Sequence, residues 1–267
     1  SLGSALVFFF RAESKKANTL FLGFASGIMI AASVWSLLLP SIEQAGETFG
    51  AFAFIPAAVG FVVGGLFLVL LDKVVPHFHS GTNEEEGPHT ALSKPVKMML
   101  AVTIHNIPEG LAVGFAFGAA ASSGEPASFV SALGLAVGMA IQNFPEGAES
   151  AYLSALVLAI GMAVQNFPEG VAVALPLHAA TGSKTKAFLY GAASGIVEPI
   201  FAIAGYFLAS QLIVLQPWLL AFAAGAMIFV VAEDLIPDAR MDEHPHLGTW
   251  GVMIGFVVMM ILDVALG

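Results

Sequence analysis

Long apolar runs dominate the chain, and the polar residues gather between them. Runs near the roughly 20 residues that a helix needs to cross bilayer hydrocarbon cover 20–39, 51–71, 96–117, 152–175, 188–208, 212–236 and 250–266. A shorter apolar run covers 130–143, and a nine-residue one covers 2–10. The N-terminal run reads as the tail of a truncated first span. A signal peptide is disfavoured, because residues 1–10 lack a basic region and no cleavage site follows. The runs are continuous, without the apolar-polar alternation of a membrane β-barrel. They are rich in Ala and in the chain's 28 Gly, which suits close helix packing. The expected architecture is an all-α polytopic membrane protein, one domain over 1–267 with eight crossings.

Composition narrows the function classes. The chain is 58% hydrophobic and 10% charged, with a mean hydropathy of +0.88; a soluble domain carries about 25% charged residues. A soluble enzyme and a disordered protein are excluded. Nine Lys and Arg against 19 Asp and Glu give a net charge of −10, with no basic patch for nucleic acid. There is no cysteine, so neither disulfides nor thiolate metal sites are available. All the bases (Arg11, Lys15, Lys16, Lys73, Lys94, Lys97, Lys184, Lys186 and Arg240) lie outside the apolar spans or at their ends, in alternate connections. The connections 40–50, 118–129 and 209–212 have none. The positive-inside rule makes the basic connections cytoplasmic and puts both chain ends outside.

The region 131–176 carries a tandem duplication. SALGLAVGMAIQNFPEG (131–147) recurs as SALVLAIGMAVQNFPEG (154–170), differing at 134/157, 137/160 and 141/164 with a period of 23 residues. Two crossings would move Lys184, Lys186 and Arg240 to the outer side. One helix over 131–175 would be about 67 Å long at 1.5 Å per residue, twice the hydrocarbon thickness. The pair is therefore expected to make one net crossing.

Three apolar segments place a carboxylate against a helix-breaking proline. His105-Asn106-Ile107-Pro108-Glu109-Gly110 puts His105, Asn106 and Glu109 on one helix face by i,i+3 and i,i+4 spacing. Gln165-Asn166-Phe167-Pro168-Glu169-Gly170 repeats the pattern, with Gln142, Asn143 and Glu146 as its duplicate, and Glu198-Pro199 is the third. Each proline removes a ladder hydrogen bond, and a break freeing carbonyls beside the ligands is expected. Eight of the 19 acids (Asp72, Glu109, Glu146, Glu169, Glu198, Glu233, Asp234 and Asp263) lie in or at the margins of spans whose interiors hold no Lys or Arg. An ionised side chain at the bilayer centre costs about 2.5–3.5 kcal/mol on insertion scales, so the missing positive charge must be a proton or a transported cation. Taken singly, the structural alternatives are a hydrogen-bonded helix contact for His105 and a protonated Glu capping a kink. Asp72 and Asp263 read as interfacial. Imidazole with carboxylates fits Zn²⁺, with Cd²⁺, Fe²⁺ or Mn²⁺ as alternatives, and the amide oxygens add ligands without charge. In the 73–95 loop, His77-Phe78-His79 joins His89 and Glu84-Glu85-Glu86, and a second pair is His244-Pro245-His246; each is either a transient metal tract or a solvated loop.

HNIPEG, QNFPEG and SGIVEP on successive helices resemble the ZIP (Zrt/Irt-like) metal transporters, in particular their bacterial GufA-like branch, and the likeness extends over essentially the whole chain. The resemblance implies eight helices with both termini outside, here with the first helix truncated and the fifth-helix segment duplicated. It also implies a two-metal centre and an elevator-like movement of one helix bundle against another. One metal position would use His105, Glu109 and Glu169. The other would use Asn106, Gln165, Asn166 and Glu198, with Glu109 and Glu169 bridging. Asp72, His77, Glu233 and Asp234 resemble a cytoplasmic exit path that His79 would extend, and Met29 and Ser33 would lie close to the site. The second copy is assigned the site because GVAVALPL follows it, whereas GAESAYLS follows the first. The expectation is a transporter carrying Zn²⁺ or a related divalent ion towards the cytoplasm, in a lipid bilayer, the bacterial inner membrane. Uptake should fall as pH drops, no organic cofactor is expected, and a homodimer is left open. The alternative is an intramembrane metal-dependent hydrolase, although the HExxH pattern is absent.

Overall fold

Hydrophobic continuity becomes helix throughout the computed structural model, which describes residues 3–8, 15–78, 85–122, 150–240 and 245–266. Among these, seven helical stretches are long and apolar enough to cross a membrane: Lys16–Phe52, Phe54–Val74, Lys94–Ser122, Ala155–Thr181, Lys184–Gln211, Ile213–Ala239 and His246–Ala265. Gly3–Phe8 forms a 3₁₀-helix. The first copy of the repeat, with Gln142, Asn143 and Glu146, and also His79 lie outside the described residues.

Proline placement shapes the long helices. Helix α1 (Lys15–Ala32) passes through a π-helical turn, Ser33–Leu38, into α2 (Leu39–Phe49). After α3 (Phe54–Val74) the chain forms a two-residue antiparallel clasp, β1 (His77–Phe78) with β2 (Glu85–Glu86), and then α4 (Lys94–Ser122). Next come α5 (Ser150–Thr181), α6 (Lys184–Gly195), α7 (Val197–Gln211) and α8 (Gln216–Val230). A second π-helical turn, Val231–Leu235, leads into α9 (Ile236–Arg240), and α10 (Pro245–Leu266) follows. Both π-turns end two residues before a proline, Pro40 and Pro237. The wider turn absorbs the missing N–H and the ring clash that proline imposes. Pro199 has the other outcome: it cannot donate to Gly195, and the helix breaks at Ile196 between α6 and α7. The expected breaks at Pro108 and Pro168 do not occur. Helices α4 and α5 run through them uninterrupted, because neighbouring helices hold the backbone and the proline removes a single ladder bond.

Three parallel helix pairs form the frame, α1 with α10, α3 with α8, and α4 with α7. Glycine lets their backbones touch, as close packing in a membrane requires. A Cβ at Gly27 would lie 2.1 Å from the Val252 oxygen, and one at Gly64 would lie 2.0 Å from that of Phe222. Helix α5 packs on α1 and α4 in the middle of the bundle. The main core, with Met29, Leu37, Phe115, Met227 and Met259 all buried, includes Leu158 of this helix.

Sequence spacing did not foresee the clasp. It is fixed to α4, where the buried Lys97 Nζ donates to Glu85 Oε2 at 2.9 Å and Lys94 Nζ lies 4.1 Å over the Phe78 ring. Asp263, near the end of α10, has a partner that the sequence did not indicate. It is 9% exposed and accepts from Ser36 Oγ at 2.6 Å, joining the first π-turn to α10. Asp263→Ala would leave a buried hydroxyl without its acceptor, at a cost of about 1–3 kcal/mol. Thermal unfolding of the purified protein should show a lowered midpoint, with a smaller loss for Asp263→Asn.

Candidate metal centre

Helices α4, α5 and α7 deliver one carboxylate each to a common region. Glu109 (2% exposed), Glu169 (5%), Asn106 (3%) and Gln165 (0%) are buried. Asn166 and Glu198 are half-buried beside them. The i,i+4 spacing puts Gln165 and Glu169 on one face of α5, towards Glu109. Gln165 Nε2 donates to Glu109 Oε1 at 3.2 Å and also to Glu169 Oε2. On the neighbouring face Asn166 Nδ2 donates to Glu198 Oε2 at 2.6 Å, and Asn106 Nδ2 donates to the Ser194 carbonyl at 3.1 Å.

The Gln165 amide thus stands between the Glu109 and Glu169 carboxylates, and the Asn166 amide donates to the third, Glu198. Among the described residues no three imidazole or carboxylate groups are gathered in ready-made metal geometry. The oxygen side of the site is nevertheless open. Asn106 Oδ1, Glu109 Oε2 and Gln165 Oε1 are buried with no hydrogen-bond partner. Orphaned acceptors in a dry interior are costly, and three of them beside clustered carboxylates form an acceptor-rich site suited to a positive ion.

His105 lies on the same face of α4, and its Nε2 is 3.0 Å from Asp234 Oδ2, which the second π-turn supplies. A cleft of about 70 Å³ joins His105 and Glu169 to Asp234, Asp238 and Asn18. Sequence reading overlooked Asp238 and Asn18. For Asp238 a signal existed, since it stands one turn beyond Asp234. On the other side of the centre a larger, mainly apolar cavity of about 350 Å³ is walled by Glu109, Asn166, Glu198, Met162 and Phe117.

The remaining candidates divide. Asp72 Oδ1 and Glu86 Oε2 lie 3.8 and 3.7 Å from Nε2 of the buried His77, whose Nδ1 is 2.8 Å from the Val75 carbonyl. Glu233 is exposed, and the structure does not bring it to the centre. Met29 and Ser33 are fully buried, but the Ser33 hydroxyl donates to the Met29 carbonyl at 2.7 Å within its own helix.

The structure also bears on which copy of the repeat suits the α5 position. Val157, Ala172, Leu175 and Leu177 are 1%, 5%, 2% and 1% exposed there. A shift of 23 residues would put Gly134, Glu149, Tyr152 and Ser154 in their places. The first copy would thus leave a cavity, bury a charge and overfill a Leu site.

Comparison with known proteins agrees with this architecture. The ZIP zinc transporter family matches residues 119–263. The chain is 35% identical to "Zinc transporter ZIP11" of Homo sapiens, over 99% of this chain and 93% of that protein. It is 36% identical to "Zinc transporter ZIPB" of Bordetella bronchiseptica, over all of this chain and 77% of that one. With "Zinc transporter GufA" of Myxococcus xanthus the identity is 34%, over 95% and 89%. Sequence kinship along nearly the whole chain and a bundle of long apolar helices lead to one conclusion: the chain belongs to the ZIP family of zinc transporters, integral membrane proteins rather than enzymes.

Proposed function

We propose that the chain carries Zn²⁺, or a related divalent ion such as Cd²⁺, Fe²⁺ or Mn²⁺, towards the cytoplasm through this centre. His105, Glu109 and Glu169 form one metal position. Asn106, Gln165, Asn166 and Glu198 form the adjacent one, with Glu109 and Glu169 shared. The observation that carries the reading is the convergence of three carboxylates and three orphaned acceptors at a place where amide N–H groups substitute for a cation.

An arriving ion exchanges water for these oxygens. Rotation of the Gln165 and Asn166 amides replaces N–H by C=O at the same place, turning a closed hydrogen-bonded cluster into a ligand set. The amides add no charge, so the ion is held loosely enough to leave. The larger cavity on the Glu109–Glu198 side and the narrow cleft on the His105–Asp234 side are the two approaches. Helices α4 to α7 move as the carrying body against the α1–α10 and α3–α8 pairs. The second copy of the repeat supplies the α5 ligands, and Asp72, His77 and Asp234 line the route out.

Zn²⁺ uptake into liposomes holding the purified protein tests the transport itself; flux equal to that of empty vesicles would overturn it. Acidification from about pH 7 to about pH 5 should lower the uptake severalfold. Imidazole must be neutral and carboxylate ionised to bind metal, and protons compete at both. Uptake that rises on acidification would contradict ligation by these groups.

A further inference from the structure

One wall of the amide-rich position comes from none of the three ligand helices. A small, partly open pocket of about 10 Å³, room for about one water-sized sphere, adjoins Asn106, Asn166, Glu169, Ser194 and Glu198, and its remaining polar wall is Ser4. Ser4 is fully buried. It belongs to the 3₁₀-helix Gly3–Phe8, which is fixed at its far end by buried Val7 and by Lys184 Nζ donating to the Phe8 carbonyl at 3.0 Å. Helix α6 makes room for it with Gly191, where a Cβ would lie 2.5 Å from Ser4 Oγ. Any larger residue at 191 would push the hydroxyl away from the cavity.

We propose that Ser4 Oγ is a further ligand of the amide-rich metal position, a neutral oxygen supplied by the first element of the chain. The inference rests on the metal-centre reading above. With Ser4 this position is built of oxygen alone, from carboxylates, amides and a hydroxyl, whereas the other includes the His105 nitrogen. An oxygen-only set favours harder ions than an imidazole set does, so Ser4 bears on which metal the inner position accepts. A hydroxyl also supplies a ligand without a fourth negative charge.

The chain has no cysteine, which makes Ser4→Cys a direct probe. In the full-length protein in nanodiscs, Cd²⁺ added to Ser4→Cys should produce the ultraviolet thiolate-to-cadmium charge-transfer band. Wild type, with no thiol, shows none, and adding Glu198→Ala to Ser4→Cys should remove the band. Ser4→Ala should weaken Cd²⁺ binding about tenfold, by analogy with the loss of a supporting ligand group, and Ser4→Cys should restore it. Wild type that binds Cd²⁺ beside a folded Ser4→Cys without the band overturns the role of Ser4 and leaves the centre intact. So does a folded Ser4→Ala with unchanged Cd²⁺ affinity. Failure of wild type itself to bind Cd²⁺ or Zn²⁺ would sink the centre, and the role of Ser4 with it.

Discussion

Glu169→Ala should reduce Zn²⁺ flux to the level of empty vesicles, while Glu146→Ala should leave it within about twofold of wild type. The two glutamates occupy the same place in near-identical 17-residue segments, so their chemistry alone gives no reason for a difference. The environment does. Glu169 is 5% exposed and accepts from Gln165, which also holds Glu109. Helix α5 continues beyond it through Ala172, Leu175 and Leu177, all buried. Beyond Glu146 the corresponding residues are Glu149, Tyr152 and Ser154, which do not fit that place. Loss even of a group that only supports a ligand lowers metal affinity by about 10–100-fold, and Glu169 serves both positions of the proposed centre. Flux normalised to inserted protein is the measurement. A comparable loss in both variants would mean that the first copy shares the site.

Much of the frame can be read from the sequence because membrane helices obey few rules. Seven apolar runs became seven long helices, and the proline–carboxylate motifs marked the residues that meet. The residues the sequence concealed depend on three-dimensional neighbours. Pro108 and Pro199 look alike as helix breakers, yet α4 runs straight through the first and the helix stops before the second. The His77–Glu86 pairing of the clasp joins two short polar stretches with no strand periodicity. Asp263 reads as interfacial, and its bond from Ser36, more than 200 residues away in sequence, has no signature in either segment. Glu233 and Asp234 are chemically equivalent neighbours. The π-turn Val231–Leu235 decides that Asp234 faces His105 and Glu233 faces outwards, and π-turns have no simple signature beyond the proline that follows. Ser4 stood out least, since a lone serine in a short apolar run carries no motif at all.

Gly110→Ala is expected to cut transport by on the order of tenfold or more although it alters no ligand. Gly110 follows Glu109 directly, at the crossing of α4 with α7. A Cβ there would lie 2.4 Å from the Glu198 oxygen and 3.0 Å from its Cα. Both are backbone atoms, so no side-chain rotation relieves the contact and the helices must part locally. The residue displaced is itself the third carboxylate of the centre, bonded to Asn166 at 2.6 Å. Moving it by even about 1 Å would change how Glu109 and Glu198 share an ion in the proposed centre, and errors of that size in functional geometry are known to cost up to about 100-fold. The same substitution at Gly65, where the nearest atom would be the Phe229 ring at 3.6 Å, should be silent. Both variants keep the apolar spans and should insert alike, so Zn²⁺ flux per inserted molecule isolates the geometric effect. Equal flux in the two would show that the spacing of α4 and α7 does not govern the centre. A loss in Gly110→Ala alone would tie the glycine of the HNIPEG motif to the placement of Glu198 on the facing helix.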